Sequence, residues 1–427
     1  MSMSKSPAMA AAPGKPGRLA AVLMTTTALL GACAAMPDQQ AANIPAIEKP
    51  SKRAQPIDAA VTSLTTALFA NAKLDPSEQR VLVVDPPVDL ATVRHSTMTR
   101  DVERRVVNLV GRRFPNIHPS PLTEAALQRQ PVVLLSCMAP VAAAGEMQPY
   151  RDGPAKVYRV WASLSDTRTG KIISSETAWV RSEDVDMTPT KFFQDSPVWA
   201  LDHSTRAYLK VCGGKPGDTM DSAYLNGMDA SVVADRGTAD YEAGRYEDAL
   251  AAYTSASSMP EGDRVRVWNG IYLSNLALGR PQAAEEAFGQ MVDLCLAQGN
   301  LAVKFLFRPA SVQFWQGEAL SGEYPMWLRE IANRSAAQKV CMLVLGHTSA
   351  TGPQAVNASL SKRRAQFVRE QIVQRAPVLK ARVEALGRGA SDPLVGTGKD
   401  DISDALDRRV EFQPQTCNAL EVAPSRT

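Results

Sequence analysis

The sequence predicts a chain of mixed class: an α/β sandwich, then paired helices, then a second α/β unit. Three observations carry that prediction. Strand-length apolar runs alternate with amphipathic stretches of 3.6-residue period before residue 215 and after residue 301. Between them, small and aromatic residues recur 35 positions apart, from Ala249 to Ala284 and from Tyr253 to Phe288. Residues 340–365 then give a buried strand, a glycine-bounded loop and a helix in immediate succession.

At the start of the chain, Lys5, Lys15 and Arg18 precede an apolar stretch over 19–30 and the small-residue run Leu30-Gly31-Ala32-Cys33. This is an export signal over 1–32, too short in its apolar part to span a bilayer. The run resembles a bacterial lipobox, which implies that Cys33 is diacylated and becomes the mature N-terminus, with palmitate-type chains as the anchor. Ala34 after the cysteine implies the outer membrane as destination. Residues 33–55 are rich in Ala, Gln and Pro, keep no period and read as a tether. The formal charge is +3, and the three basic residues before Cys33 account for it, so the rest is near neutral. Nucleic acid is therefore not an expected partner.

Residues 56–215 alternate helix and strand. A helix over 57–74 places Val61, Leu64, Leu68 and Phe69 on one side, and a strand follows over 80–84. A second helix over 99–112 carries Val102, Val106, Leu109 and Val110, a short one covers 122–129, and 132–138 is a buried strand. Residues 157–164 and 172–180 form a hairpin across the turn from Asp166 to Gly170, where glycine supplies a positive φ. The order resembles the periplasmic LpoB/CsgG/FlgO-like domain, which implies protein–protein binding and no catalysis.

Residues 221–299 place Gly237, Gly244, Tyr246, Ala249, Tyr253 and Ala256, then Trp268, Gly279, Ala284 and Phe288, at a spacing that resembles tetratricopeptide repeats. Such repeats serve either as a groove for a partner peptide or as a rigid spacer.

Residues 301–417 begin with a strand over 301–307, a turn over 309–314 and a helix over 325–333. A strand over 341–345, the loop 346–352, a helix from Asn357 and strands over 382–386 and 409–412 complete a β-α-β-α-β-β unit, with 387–399 as a loop and 418–427 as a tail. The helix places Leu360, Phe367, Val368 and Ile372 on one face and brings Arg363 and Arg364 close to the Gly-His-Thr-Ser loop, where a carboxylate could be held. Gly346, His347, Thr348, Gly352, Asn357, Leu360, Ser361, Arg364 and Ala365, followed by Asp407 to Phe412, resemble the OmpA-like peptidoglycan-binding domain.

That resemblance implies non-covalent binding of the diaminopimelate in the peptidoglycan stem peptide. Arg364 would hold its carboxylate, helped by Thr348, Ser349 and Asn357. The family has an acid where this chain has Ser349, so Arg364 alone carries over as a charged partner. Asp400 or Asp401 could supply the missing acid. His347 is expected to belong to the hydrogen-bond framework of the loop.

Six cysteines fit an oxidising compartment. With Cys33 lipidated, the pairs Cys137–Cys212 and Cys341–Cys417 would each staple one unit, a connectivity that spacing leaves open, and Cys295 would remain as a buried thiol. His95, His118, His203 and His347 lie far apart, and no metal or other cofactor is expected. No nucleophile elbow, P-loop or dinucleotide motif is present, so the chain is not read as an enzyme. The expected function is that of an outer-membrane lipoprotein on the periplasmic face that binds peptidoglycan and scaffolds envelope proteins through its first two modules. The alternative is an accessory subunit of a peptidoglycan-synthesis, secretion or polysaccharide-export machine with a degenerate OmpA-like domain.

Overall fold

The computed structural model describes residues 54–90, 93–141, 157–308, 310–315, 321–391 and 407–417. In the first part of the chain Ile57–Asn71 (α1), Arg80–Val84 (β1), Val88–Asp89 (β2), Thr97–Arg113 (α2), Ile117–Ser120 (β3) and Glu124–Gln128 (α3) lead into Val132–Val141 (β4), Val157–Asp166 (β5) and Lys171–Arg181 (β6). The strands lie in the order β3-β1-β4-β5-β6, with β2 beside β4. Every residue of β1 is buried because successive side chains enter opposite layers. Leu82 and Val84 meet Val61 and Leu68 of α1 and Val102 and Val106 of α2, whereas Val81 and Val83 face the other side. Ser96 caps α2 in a reciprocal capping box with Thr99, which contributes about 1 kcal/mol. The β5–β6 turn closes with Gly170 at φ 65° and its N–H on the Asp166 carbonyl at 2.9 Å.

Lys191–Asp195 (α4), Val198–Trp199 (β7), His203–Cys212 (α5) and Ser222–Asn226 (α6) follow. Helices α5 and α6 cover the second face of the sheet, and the Cys137–Cys212 disulfide ties α5 to β4. Tyr208 donates to the Ser136 carbonyl at 3.0 Å. Met220, Tyr224 and Met228 belong to this layer, so its packing extends beyond residue 215, where the sequence reading ends the unit.

Met228–Glu242 (α7), Tyr246–Ser257 (α8), Val265–Ala277 (α9) and Pro281–Ala297 (α10) form two helical hairpins. Tyr253 of α8 fits between α7 and α9 because glycines face its ring. A Cβ on Gly270 would lie 2.3 Å from that ring and one on Gly237 3.1 Å from it. The face shared by α7 and α9 is covered by residues 191–202 of the same chain. Phe192 stacks on Tyr253 with centroids 5.7 Å apart, Asn269 donates to the Val198 carbonyl at 2.8 Å, and Asp202 accepts from the Val265 N–H at 2.9 Å. The surface read from sequence as a possible peptide groove thus already holds a peptide segment, the chain's own.

Leu301–Val303 (β8), Tyr324–Ala337 (α11), Cys341–His347 (β9), Gln354–Arg375 (α12), Val383–Gly389 (β10) and Val410–Gln415 (β11) give the expected β-α-β-α-β-β order. The sheet runs β10-β9-β11-β8-β7, and β7 comes from the far side of the helical hairpins. The strand expected over 301–307 is shorter, because its ladder ends at Val303 and residue 307 instead forms a bridge with Phe314. The hairpins and this unit share one core. Trp327 of α11 is fully buried, stacks on Phe288 at 5.6 Å and donates to the Tyr272 hydroxyl at 2.8 Å. Arg334 adds an ion pair to Asp293 at 2.6 Å across the same helices. The two segments that the sequence separates at residue 300 are one packed body, since the facing sides of α10 and α11 are too apolar to be left in water. Among the described residues no helix is long and apolar enough to cross a membrane.

Candidate functional site

The expected binding residues converge at the end of β9. Strands β9 and β10 run parallel, joined by α12 across their face. The helix approaches closely because Gly346 and Gly387 lack side chains. A Cβ on Gly346 would fall 2.1 Å from the Ser361 carbonyl, and one on Gly387 2.5 Å from the Lys362 nitrogen. Ser361 uses the approach, accepting from the Gly389 N–H at 2.8 Å.

The loop after β9 is fixed from three directions. The Thr348 N–H donates to the Gly389 carbonyl at 2.9 Å, the Ser349 and Thr351 hydroxyls lie 3.1 Å apart, and Asn357 donates to the Thr351 carbonyl at 3.0 Å. Gly352 supplies φ 90° at the turn into α12. The buried face of α12 carries Asn357, Ser361 and Arg364 at helical spacing. Arg363 points outward and is exposed, so it does not share the site with Arg364.

Arg364 is 1% exposed. Its Nε donates to the Ser311 carbonyl at 3.0 Å and its Nη2 to the Arg308 carbonyl at 3.2 Å, while the guanidinium lies 4.9 Å over the Phe307 ring. The group expected to face a carboxylate is therefore covered by Phe307, Arg308 and Ser311. Phe307, Arg308 and Ser311 are the site residues that sequence reasoning missed. Backbone carbonyls leave no residue-type signature, and the only hint was an aromatic residue before a proline turn. Thr348, Ser349 and Asn357 are buried as well.

His347 departs from its expected role. Both ring nitrogens lack a hydrogen-bond partner among the described residues, and only its backbone N–H is used, toward the Arg409 carbonyl at 3.0 Å. Burial, reinforced by the Arg409 charge, pushes the imidazole down to about 3. Its 3.8 Å approach to Glu411 is consequently a contact of a neutral ring at ordinary pH. Burial would raise the Glu411 carboxyl, but Arg409 and His347 outweigh it and hold the group at about 2.

Cys341 and Cys417 are joined by a disulfide, and Cys295 is free and buried. Cys33, Asp400 and Asp401 lie outside the described residues. Among those described, no group of His, Cys, Asp or Glu is placed to hold a metal ion.

A parallel β9–α12–β10 crossover with a tight Gly-His-Thr loop, and β11 inserted antiparallel beside it, defines an OmpA-like domain. Residues 318–405 match the sequence model of the OmpA family. Similar solved structures include the peptidoglycan-associated lipoprotein from Burkholderia pseudomallei, 25% identical over 28% of this chain and 92% of that one, with a TM-score of 0.23. An outer membrane protein from Borrelia burgdorferi B31 is 25% identical over 27% and 88%, at 0.21. A MotB-like protein from Desulfovibrio vulgaris is 24% identical over 27% and 72%, at 0.23.

Proposed function

We propose that this chain is a non-enzymatic lipoprotein of the outer membrane, lipidated at Cys33, that binds peptidoglycan through its C-terminal unit and scaffolds envelope proteins through the rest. The observation that carries the reading is the placement of Asn357 and Arg364 on one face of α12 beneath the 348–352 loop, inside the segment that matches the OmpA family. A stem-peptide carboxylate would replace the Ser311 and Arg308 carbonyls on Arg364. That exchange would set an opposite charge against the guanidinium in a planar bidentate pair, where it now meets two neutral carbonyls. Thr348 would offer its hydroxyl, which has no partner among the described residues.

The helical hairpins act in this reading as a rigid joint, since their inner face is filled by residues 191–202 and their outer one is fused to α11. Partner proteins would then meet the first α/β unit. Co-sedimentation of the full chain with purified sacculi tests the proposal: protein in the pellet, released by free diaminopimelate, supports it, and protein left in the supernatant contradicts it.

A second reading, an accessory subunit of a synthesis, secretion or export machine, is favoured by two observations. Ser349 stands where the family has an acid, and Arg364 is covered. Under that reading the chain stays soluble in the sacculus assay and is recovered with a membrane-complex partner.

A further inference from the structure

Where the first sheet, residues 192–202 and helices α7 and α9 meet, the chain forms a partly open cavity of about 110 Å3. Its walls carry buried N–H groups that the packing leaves without an acceptor, although Asp89 lies near enough to Arg94 to act on its charge. Arg94 is 2% exposed and lies 4.8 Å over the Trp199 ring, yet its Nη2 atom meets no acceptor among the described residues. His95, stacked on Phe193 at 4.7 Å, has no partner for Nδ1. Arg266 pairs with Asp235 at 2.5 Å and with the Thr238 hydroxyl at 2.8 Å through Nη2, but its Nε is unmatched.

One acceptor of the lining, Asn269 Oδ1, also lacks a partner among the described residues, whereas the remaining charged groups are occupied by the fold. Arg264 donates to the Gly227 carbonyl at 2.6 Å and to the Ser231 hydroxyl at 2.7 Å, and Asp202 accepts from the Val265 and Thr205 N–H groups. Asp85 is held by the Tyr224 hydroxyl at 2.6 Å, and burial pushes its carboxyl up to about 7, so that its negative charge is reduced at neutral pH. Burying a guanidinium without an acceptor is costly unless something of opposite charge accompanies it.

We infer that this cavity is a binding site for a small oxyanion, a carboxylate or a phosphate, which accepts from Arg94 and Arg266, with the His95 ring lending one N–H. The size sets the class. A volume of about 110 Å3 is somewhat below the roughly 150 Å3 of a cavity that takes benzene, a size that suits such an ion. The site joins three segments distant in sequence, so occupancy would tie the first α/β unit to the hairpins.

The test is a thermal-melt titration of the full chain with sodium phosphate and, separately, sodium acetate, each against sodium chloride at equal ionic strength. A bound ion stabilises the folded chain by mass action, so the melting temperature should rise along a saturating curve with at least one of the two, and the one that saturates at lower concentration names the class. Arg94→Met should weaken the apparent affinity roughly tenfold or more. Ala200→Leu, which fills the cavity from an apolar wall and leaves every charge in place, should abolish the response while the chain still melts cooperatively. The inference is overturned if neither ion differs from chloride, or if a folded Arg94→Met or Ala200→Leu variant responds as the wild type does. If one variant fails to fold, the other and the chloride comparison still decide.

Discussion

Arg364 donates to the backbone carbonyl of Ser311 at 3.0 Å, across 53 residues of chain. A side chain that sequence assigns to a ligand is therefore a tie between α12 and the segment leading to α11. Both roles are compatible only if the ligand carboxylate displaces the carbonyls. The free chain is closed over the cation that it would use.

Replacing that cation should cost stability before it costs binding. Arg364→Met removes two charge-assisted bonds and leaves the Ser311 and Arg308 carbonyls to find other donors, a loss of about 2–3 kcal/mol. Urea unfolding measures it. A loss under about 0.5 kcal/mol, the size of an ordinary surface substitution, would contradict the tie.

The Tyr253 ring between α7 and α9 gives an ordered pair of outcomes. Gly270→Ala drives a methyl against the ring at 2.3 Å and should destabilise by about 1–3 kcal/mol, whereas Gly237→Ala, at 3.1 Å, should be the milder change. Melting temperatures in the reverse order would contradict the packing.

Two buried groups oppose each other as pH changes. The His347 imidazole falls from 6.5 to about 3 on folding, so the unfolded chain takes up its proton first and stability is lost as pH drops from 6.5 toward 3. The Asp85 carboxyl rises from 3.8 to about 7, so the folded chain keeps its proton longer and stability is lost as pH climbs from 3.8 through 7. His347→Phe should therefore gain on the wild type as pH falls from about 6.5 toward 3, and Asp85→Asn should gain on it as pH rises from about 4 through 7. Melts between pH 4 and 8 separate the two. Parallel curves would contradict both assignments.

The thiols should divide cleanly. Burial holds the Cys295 thiol well above its ordinary range, so alkylation should require unfolding. Replacing Cys341 and Cys417 by serine opens a bridge of 76-residue separation and should cost roughly 2–4 kcal/mol. Mass spectrometry of the alkylated chain and a denaturation curve check these.

Legibility tracked how local the determinants were. The β5–β6 hairpin was readable because its turn is written in Asp166 and Gly170, and β9 with α12 because an apolar run is followed by Gly346, Gly352 and a helical period. Helix α12 starts at Gln354, three residues before the Asn357 expected, since Pro353 fixes its entry. Residues 191–202 were illegible. Val198–Trp199 is a strand only because β8 pairs with it about a hundred residues later, and Phe192 is buried only because Tyr253 meets it. Thr348, Ser349 and Asn357 were named from the family resemblance and lie around one loop, while the cover over Arg364 was not legible, because carbonyls belong to every residue. The lipidation expected at Cys33 falls outside the described residues.

The most direct test of wall binding is sedimentation of the full chain with sacculi, comparing wild type with Ser349→Asp. Restoring the acid adds a charged partner where a neutral hydroxyl now stands, a gain of about 1–2 kcal/mol, or roughly tenfold in affinity. The account predicts weak, diaminopimelate-competed binding by the wild type and clearly tighter binding by the variant. Absence of both proteins from the pellet, with both shown to be folded by their melts, would contradict it.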